Sequence, residues 1–196
     1  MAKKIPSMRK DKTKLHLGCF YQKIHGFTNV DIREDVNPDL VDDVFKLKNI
    51  KQDSVDLIYT CHVLEHAKRQ EAKDAMKRWY EILKKGGTLR VSVPDLEAIF
   101  EYYICHKDLR ALECLLYGSQ KHSYDFHYTG WDFKSMERDL KEAGFSSVKR
   151  YDWRDTEHFF VDDYSQSYLP KISYATREKR GDIEGKLMSL NIEAVK

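Results

Sequence analysis

Lys14-Leu15-His16-Leu17-Gly18-Cys19 and, after a short connection, Phe27-Thr28-Asn29-Val30-Asp31-Ile32 decide the fold. Each is a short alternating apolar run, the mark of a strand. The first ends in a glycine, which lets a ligand approach the backbone closely. The second ends in an acid, which can accept both hydroxyls of a ribose. Working outward, residues 40–44 and 55–60 read as a third and a fourth strand. A helix follows, with Ala72, Ala75, Met76, Trp79, Ile82 and Leu83 on one face. Lys84-Lys85-Gly86-Gly87 reads as its cationic, glycine-capped end. Residues 88–93 alternate as a strand, 96–104 and 108–117 read as helices, and 133–143 as a helix closed by Gly144. Residues 147–151 and 187–195 are the last two strands.

Strands alternating with helices imply a three-layer α/β domain with a mostly parallel sheet. The last strand is expected to run antiparallel at or near an edge, because the long 152–186 connection contains no clear crossover helix. Residues 1–13 read as a flexible tail and 14–196 as one domain, with 152–186 a long loop or lid whose stretch 176–182 is highly charged. Trp153, His158, Phe159, Phe160, Tyr164 and Tyr168 argue against plain disorder there.

The chain has 196 residues, 41% of them hydrophobic and 12% aromatic, enough for one core. Its 34 Lys and Arg against 32 Asp and Glu leave a net charge of +2. That balance excludes a general nucleic-acid binder, which needs a strong basic excess. No apolar run reaches the ~18 residues of a membrane span, and the basic N-terminus lacks the apolar stretch of a signal peptide. A cytoplasmic protein is expected. Cys19, Cys61, Cys105 and Cys114 form no CxxC pair and read as reduced, mostly buried thiols.

The connection at residues 19–26 is too short for an ordinary crossover with its helix, which needs about 10–12 residues. It also lacks GxGxxG. A nicotinamide dinucleotide, which needs a helix N-terminus for its phosphates, is therefore disfavoured. A nucleoside ligand without phosphates is not.

The runs LHLGC, GFTNVDI, DLVDDVFKL, DSVDLIYTCHVLEH and KKGGTLRVSVPD occur in that order. This array resembles the small class I S-adenosylmethionine-dependent methyltransferases of the type-11 group, of the kind found beside surface-polysaccharide genes. The resemblance implies S-adenosylmethionine as cofactor and a small acceptor, sugar-linked or a nucleotide sugar. It implies that Gly18 and Cys19 lie under the methionine part of the cofactor. Asp31 would take the ribose, and Asp43 with Val44 would meet the adenine. Cys61 and His62 would border the sulfonium. Phe20 stands where the family usually has a second glycine and is expected to pack against the cofactor. Phe20 and the shortened connection also motivate an alternative, a methyltransferase-like domain that only binds a partner.

Two further clusters carry candidate chemistry. His62, Glu65 and His66 sit just past the fourth strand, where open α/β sheets bind ligands. The spacing of the two histidines would suit a metal on one helix face, but no third ligand is identifiable and HVLEH is not HExxH. No metal is expected, and Glu65 or His66 is read as bracing the next helix. His122, Tyr124, Asp125, His127, Tyr128 and Trp131 suggest a ring-lined pocket. His127 is the expected base for an acceptor hydroxyl, Asp125 its orienter, and His62 the next candidate. The acceptor is expected between the strand ends and a cover made by residues 122–131 and 153–168.

Overall fold

A computed structural model describes residues 12–169 and 186–196. Most of the expected tail and the charged stretch 176–182 lie outside the described residues. In chain order the elements are β1 (Lys14–Leu17), β2 (Thr28–Asp31), β3 (Leu40–Val41), β4 (Val55–Cys61), α1 (Arg69–Ile82), β5 (Leu83–Pro94), α2 (Leu96–His106), α3 (Glu113–Tyr117), α4 (Phe133–Ala143), β6 (Ser147–Arg150), β7 (Tyr168–Leu169), β8 (Lys186–Leu187) and β9 (Ser189–Val195). Seven strands form one sheet in the order β3-β2-β1-β4-β5-β9-β6, and β7 and β8 form a separate pair. All neighbours from β3 through β5 are parallel, while β9 is antiparallel to both β5 and β6. The expected antiparallel last strand is therefore present, one place in from the edge.

The apolar stripe of α1 explains one face of the sheet. Ala72, Ala75, Met76, Trp79 and Ile82 are buried and share a core with Ile58, Leu89, Val91 and Val93 and with Met136 and Leu140 of α4. The opposite face over β1 and β4 is covered differently. Residues 18–27 form turns rather than a helix. Ile24, Phe27, Leu57 and Tyr59 are closed off by Val161. The Tyr59 ring lies 4.0 Å from that of His158, and its hydroxyl donates to Asp163 at 2.5 Å. The 152–169 part of the long connection is thus fastened to the sheet and contains two short 3-10 helices, Trp153–Asp155 and Tyr164–Gln166.

Two local expectations are corrected. Lys84-Lys85-Gly86-Gly87 does not cap α1. Leu83 leaves the helix in extended conformation and pairs with Val55, because its buried side chain completes the sheet core. The β4–β5 register then jumps to Leu57–Thr88, and Gly86, at φ +75°, lies in the irregular stretch between. Nor does Glu65 or His66 cap α1. Its N-cap is Lys68, with no side-chain cap bond. Of the four free cysteines only Cys19 is fully buried, and Cys105 and Cys114 are exposed. No helix among the described residues is long and apolar enough to cross a membrane.

Candidate functional site

The carboxyl end of β1 turns at Gly18, φ +68°, whose amide donates to the Val30 carbonyl at 2.8 Å. The turn continues through Phe20 at φ +47°, a left-handed conformation that costs a side chain about 1–2 kcal/mol and that glycine adopts freely. Asp31 holds this turn. Its Oδ2 accepts from the Phe20 amide at 2.8 Å and its Oδ1 from the Arg33 amide at 3.0 Å. Gly18, Cys19, Phe20 and Asp31 therefore form one unit. The Cys19 thiol is pushed up to about 11, first by burial and then by Asp31, so it stays protonated. A Cβ at position 18 would lie 2.3 Å from Val63 Cγ2, which places the Val63 side chain directly over the glycine.

Asp43 and Val44 lie apart from that unit. Val44 is buried in the core beneath α1, and its carbonyl accepts from the Trp79 indole at 2.8 Å. Asp43 binds the Phe45 amide at 3.0 Å and Lys46 Nζ at 2.5 Å. Sequence reading passed over Asp42, whose amide donates to the Asp31 carbonyl and whose buried Oδ2 has no hydrogen-bond partner. Ile32 and Val41, each nearly half exposed, leave apolar surface beside these acids. Position alone, directly after β3, was the available signal for Asp42.

Past β4 the chain builds a second cluster. Cys61 packs with Tyr59, and burial drives its thiol well above the ordinary range. His62 adopts φ +53°, a strained conformation typical of functional positions. Leu64, Glu65 and His66 form a 3-10 turn, so His62 and His66 do not share a helix face. The Ser189 hydroxyl donates to the Tyr164 carbonyl at 2.7 Å and lies 2.7 Å from His62 Nε2. With its own hydrogen committed, it accepts from His62 Nε2–H, which leaves Nδ1 with the lone pair, 3.4 Å from Glu65 Oε1. Burial, then His127 and His66, hold His62 down at about 3, and burial pushes Glu65 up to about 8. This contact is consequently a neutral pair near pH 7 rather than an ion pair.

The 118–131 loop is bound to the same turn, since the Glu65 carbonyl accepts from the Tyr128 amide at 2.8 Å and the Thr129 amide at 3.3 Å. His127 faces inward, with Nε2 4.0 Å from Glu65 Oε1. Burial is the main reason its imidazole sits at about 4. Its Nδ1 bonds the Leu115 carbonyl at 2.9 Å, not Asp125. The Asp125 carboxylate is instead hydrogen-bonded by the Ser119 hydroxyl, although its charge still acts on His127 and His66. The expected ring-lined pocket divides. His122, Tyr124 and Tyr128 are exposed, whereas Trp131 is buried with its indole on Asp139 at 3.0 Å. Each of these two segments touches the turn after β4: the Tyr164 ring lies 5.0 Å from that of His62, and His127 lies against Glu65.

Residues 26–91 match the family model described as a methyltransferase domain. No curated protein matches the chain in sequence. Among solved structures, a SAM-dependent methyltransferase from Methanosarcina mazei is similar over 96% of this chain and 94% of its own, at 15% identity and a TM-score of 0.59. One from Archaeoglobus fulgidus is similar over 94% and 86%, at 17% identity and a TM-score of 0.57. This is the class I methyltransferase fold. A structure of a Haloferax volcanii methyltransferase with the Trm112 methyltransferase activator also shares the fold, over 95% of this chain and 83% of that one, at 17% identity and a TM-score of 0.56. In this chain the fold keeps the carboxyl ends of β1, β2 and β4 together and omits the helix after β1.

Proposed function

We propose that this chain is an S-adenosylmethionine-dependent methyltransferase acting on a small, sugar-linked acceptor. The observation that carries the reading is the Gly18–Asp31 unit at adjacent strand ends, within a class I fold whose residues 26–91 match the methyltransferase domain. The residues fit the cofactor. Each Asp31 oxygen accepts one amide and keeps a lone pair for a ribose hydroxyl. The unpartnered Asp42 Oδ2 suits the amino group of adenine better than Asp43 does, and Ile32 and Val41 suit its ring. The bound cofactor would supply a sulfonium methyl for in-line transfer. His127, neutral near pH 7 and holding an Nε2 lone pair at the end of β4, is assigned as proton acceptor for a hydroxyl. The sugar class rests on the sequence resemblance and on the exposed Tyr124 and Tyr128 rings.

Val63 over Gly18 and the engaged Asp31 carboxylate favour one other reading, a methyltransferase-like binding domain. Calorimetric titration with S-adenosylmethionine and S-adenosylhomocysteine separates the two. Saturable binding of one molecule per chain is expected, and its absence from the folded chain would leave the binding-only reading. A screen of nucleotide sugars as acceptors, followed by methyl incorporation, then tests the substrate class.

A further inference from the structure

The turn after β4 and the 118–131 loop bring together three chelating side chains that lie far apart in sequence. Glu65, His66 and His127 each place one ligating atom within 4.8 Å of the other two. Glu65 is fully buried, and neither of its carboxylate oxygens has a hydrogen-bond partner. A buried carboxylate in that state is costly unless a proton or a cation meets it. The two imidazoles are set in one tautomer. His66 Nδ1 lies 3.1 Å from the Phe126 carbonyl and His127 Nδ1 lies 2.9 Å from the Leu115 carbonyl. A carbonyl only accepts, so each Nδ1 carries the hydrogen and each Nε2 keeps its lone pair. Metal-ligating histidines are fixed in this way, with the second ring nitrogen donating to a backbone carbonyl or carboxylate. The 4.0 Å from His127 Nε2 to Glu65 Oε1 is wider than the edge of about 3.3 Å between ligands on tetrahedral zinc, so the side chains must draw together by several tenths of an ångström to hold the ion.

We propose that Glu65, His66 and His127 bind a divalent transition-metal ion of the zinc class, which pins the 118–131 loop to the carboxyl end of β4. Two neutral imidazoles and one carboxylate, which releases its proton to solvent as the ion binds, are a zinc donor set, and three protein ligands leave a position for water or substrate oxygen. The loop is already anchored at this turn by the two amides on the Glu65 carbonyl, so side-chain movement alone closes the site. In an occupied site the His127 lone pair is engaged by the ion, and the cation would instead acidify a bound acceptor hydroxyl, whose proton then passes to solvent water. That last role rests on the transferase reading, whereas binding of the ion does not.

The test is calorimetric titration of the metal-stripped full chain with Zn²⁺, without cofactor, alongside Co²⁺ absorption. One ion per chain and a tetrahedral cobalt spectrum are expected. Glu65→Gln, His66→Gln and His127→Gln should each weaken Zn²⁺ by more than the ~100-fold that changes outside the ligand shell cost. His25→Gln, on an exposed turn, should bind as the parent chain does. Circular dichroism identifies any variant that fails to fold, and the parent chain's stoichiometry and cobalt spectrum decide the matter independently. Absence of saturable Zn²⁺ binding to the folded parent chain overturns the proposal, as does undiminished binding in the folded His66 and His127 variants. Loss of zinc with S-adenosylmethionine binding intact removes the metal site alone, and the reverse result removes the transferase reading alone.

Discussion

At Asp31 one carboxylate ties the turn after β1 to the end of β2, and under the proposed function the same carboxylate also accepts from the ribose. Asp31→Asn keeps the shape but withdraws the charge and one acceptor oxygen. Cofactor affinity measured by calorimetry should then fall at least ~10-fold, since charge-assisted bonds contribute about 1.5–3 kcal/mol each. Asp31→Ala should in addition lower unfolding stability by about 1–3 kcal/mol, because the Phe20 and Arg33 amides lose their partner. Unchanged affinity in the asparagine variant would put the ligand elsewhere. His127→Asn should reduce turnover on an identified acceptor by about 10²–10⁴ while leaving cofactor affinity in place. Full turnover would refute its role. What was legible from sequence was the place of Asp31, an acid ending a strand, and of His127, a histidine in an aromatic loop. The Leu115 carbonyl on His127 was not, because backbone acceptors leave no trace in residue identity. Glu65 and His127 were read separately because only the fold joins them.

Among the elements, the 153–168 cover has a test in its acid response. Glu157 is ion-paired to Arg90 and to Lys14. Burial acts to raise its carboxyl, but the Arg90 hydrogen bond, its own backbone and Lys14 outweigh this and hold it at about 2, below the ordinary 4.5. A depressed carboxyl stabilises the fold fully above its unfolded value and loses that contribution as pH falls. The cover should therefore loosen between pH ~4.5 and ~2, visible as a change in Trp153 emission, and Glu157→Gln should remove that transition. An identical acid profile in the variant would assign the response to other carboxylates. In the 118–131 loop, a Cβ on Gly118 would lie 2.2 Å from the Asp125 carbonyl oxygen, at φ +76°. Gly118→Ala should cost about 1–3 kcal/mol and displace His127, read as a lower melting temperature. The strands were legible because alternation survives in short runs. The end of α1 was not, because Lys-Lys-Gly-Gly has cap chemistry while the Leu83–Val55 pairing that ends the helix is non-local.

For the whole molecule, a ligand that binds only the folded state adds stability by mass action. S-adenosylhomocysteine at a hundred times its dissociation constant should add about 2.7 kcal/mol, and a flat melting temperature would contradict the cofactor assignment. The parallel half of the sheet followed from sequence, whereas the place of β9 between β5 and β6 followed only from pairing that spans the chain. That placement governs how the protein can be made. Among the described residues β6 has no sheet partner other than β9, and one edge of β5 stays open until β9 arrives. At ~5–20 residues per second a ribosome needs roughly 2–8 s to pass from β6 to the start of β9. Throughout that interval the nascent chain exposes an unpaired strand and an unpaired sheet edge, each able to capture the same segment from a neighbouring polysome-bound chain. Slowed elongation across residues 151–188 should therefore lower the soluble yield more than an equal delay placed before β4.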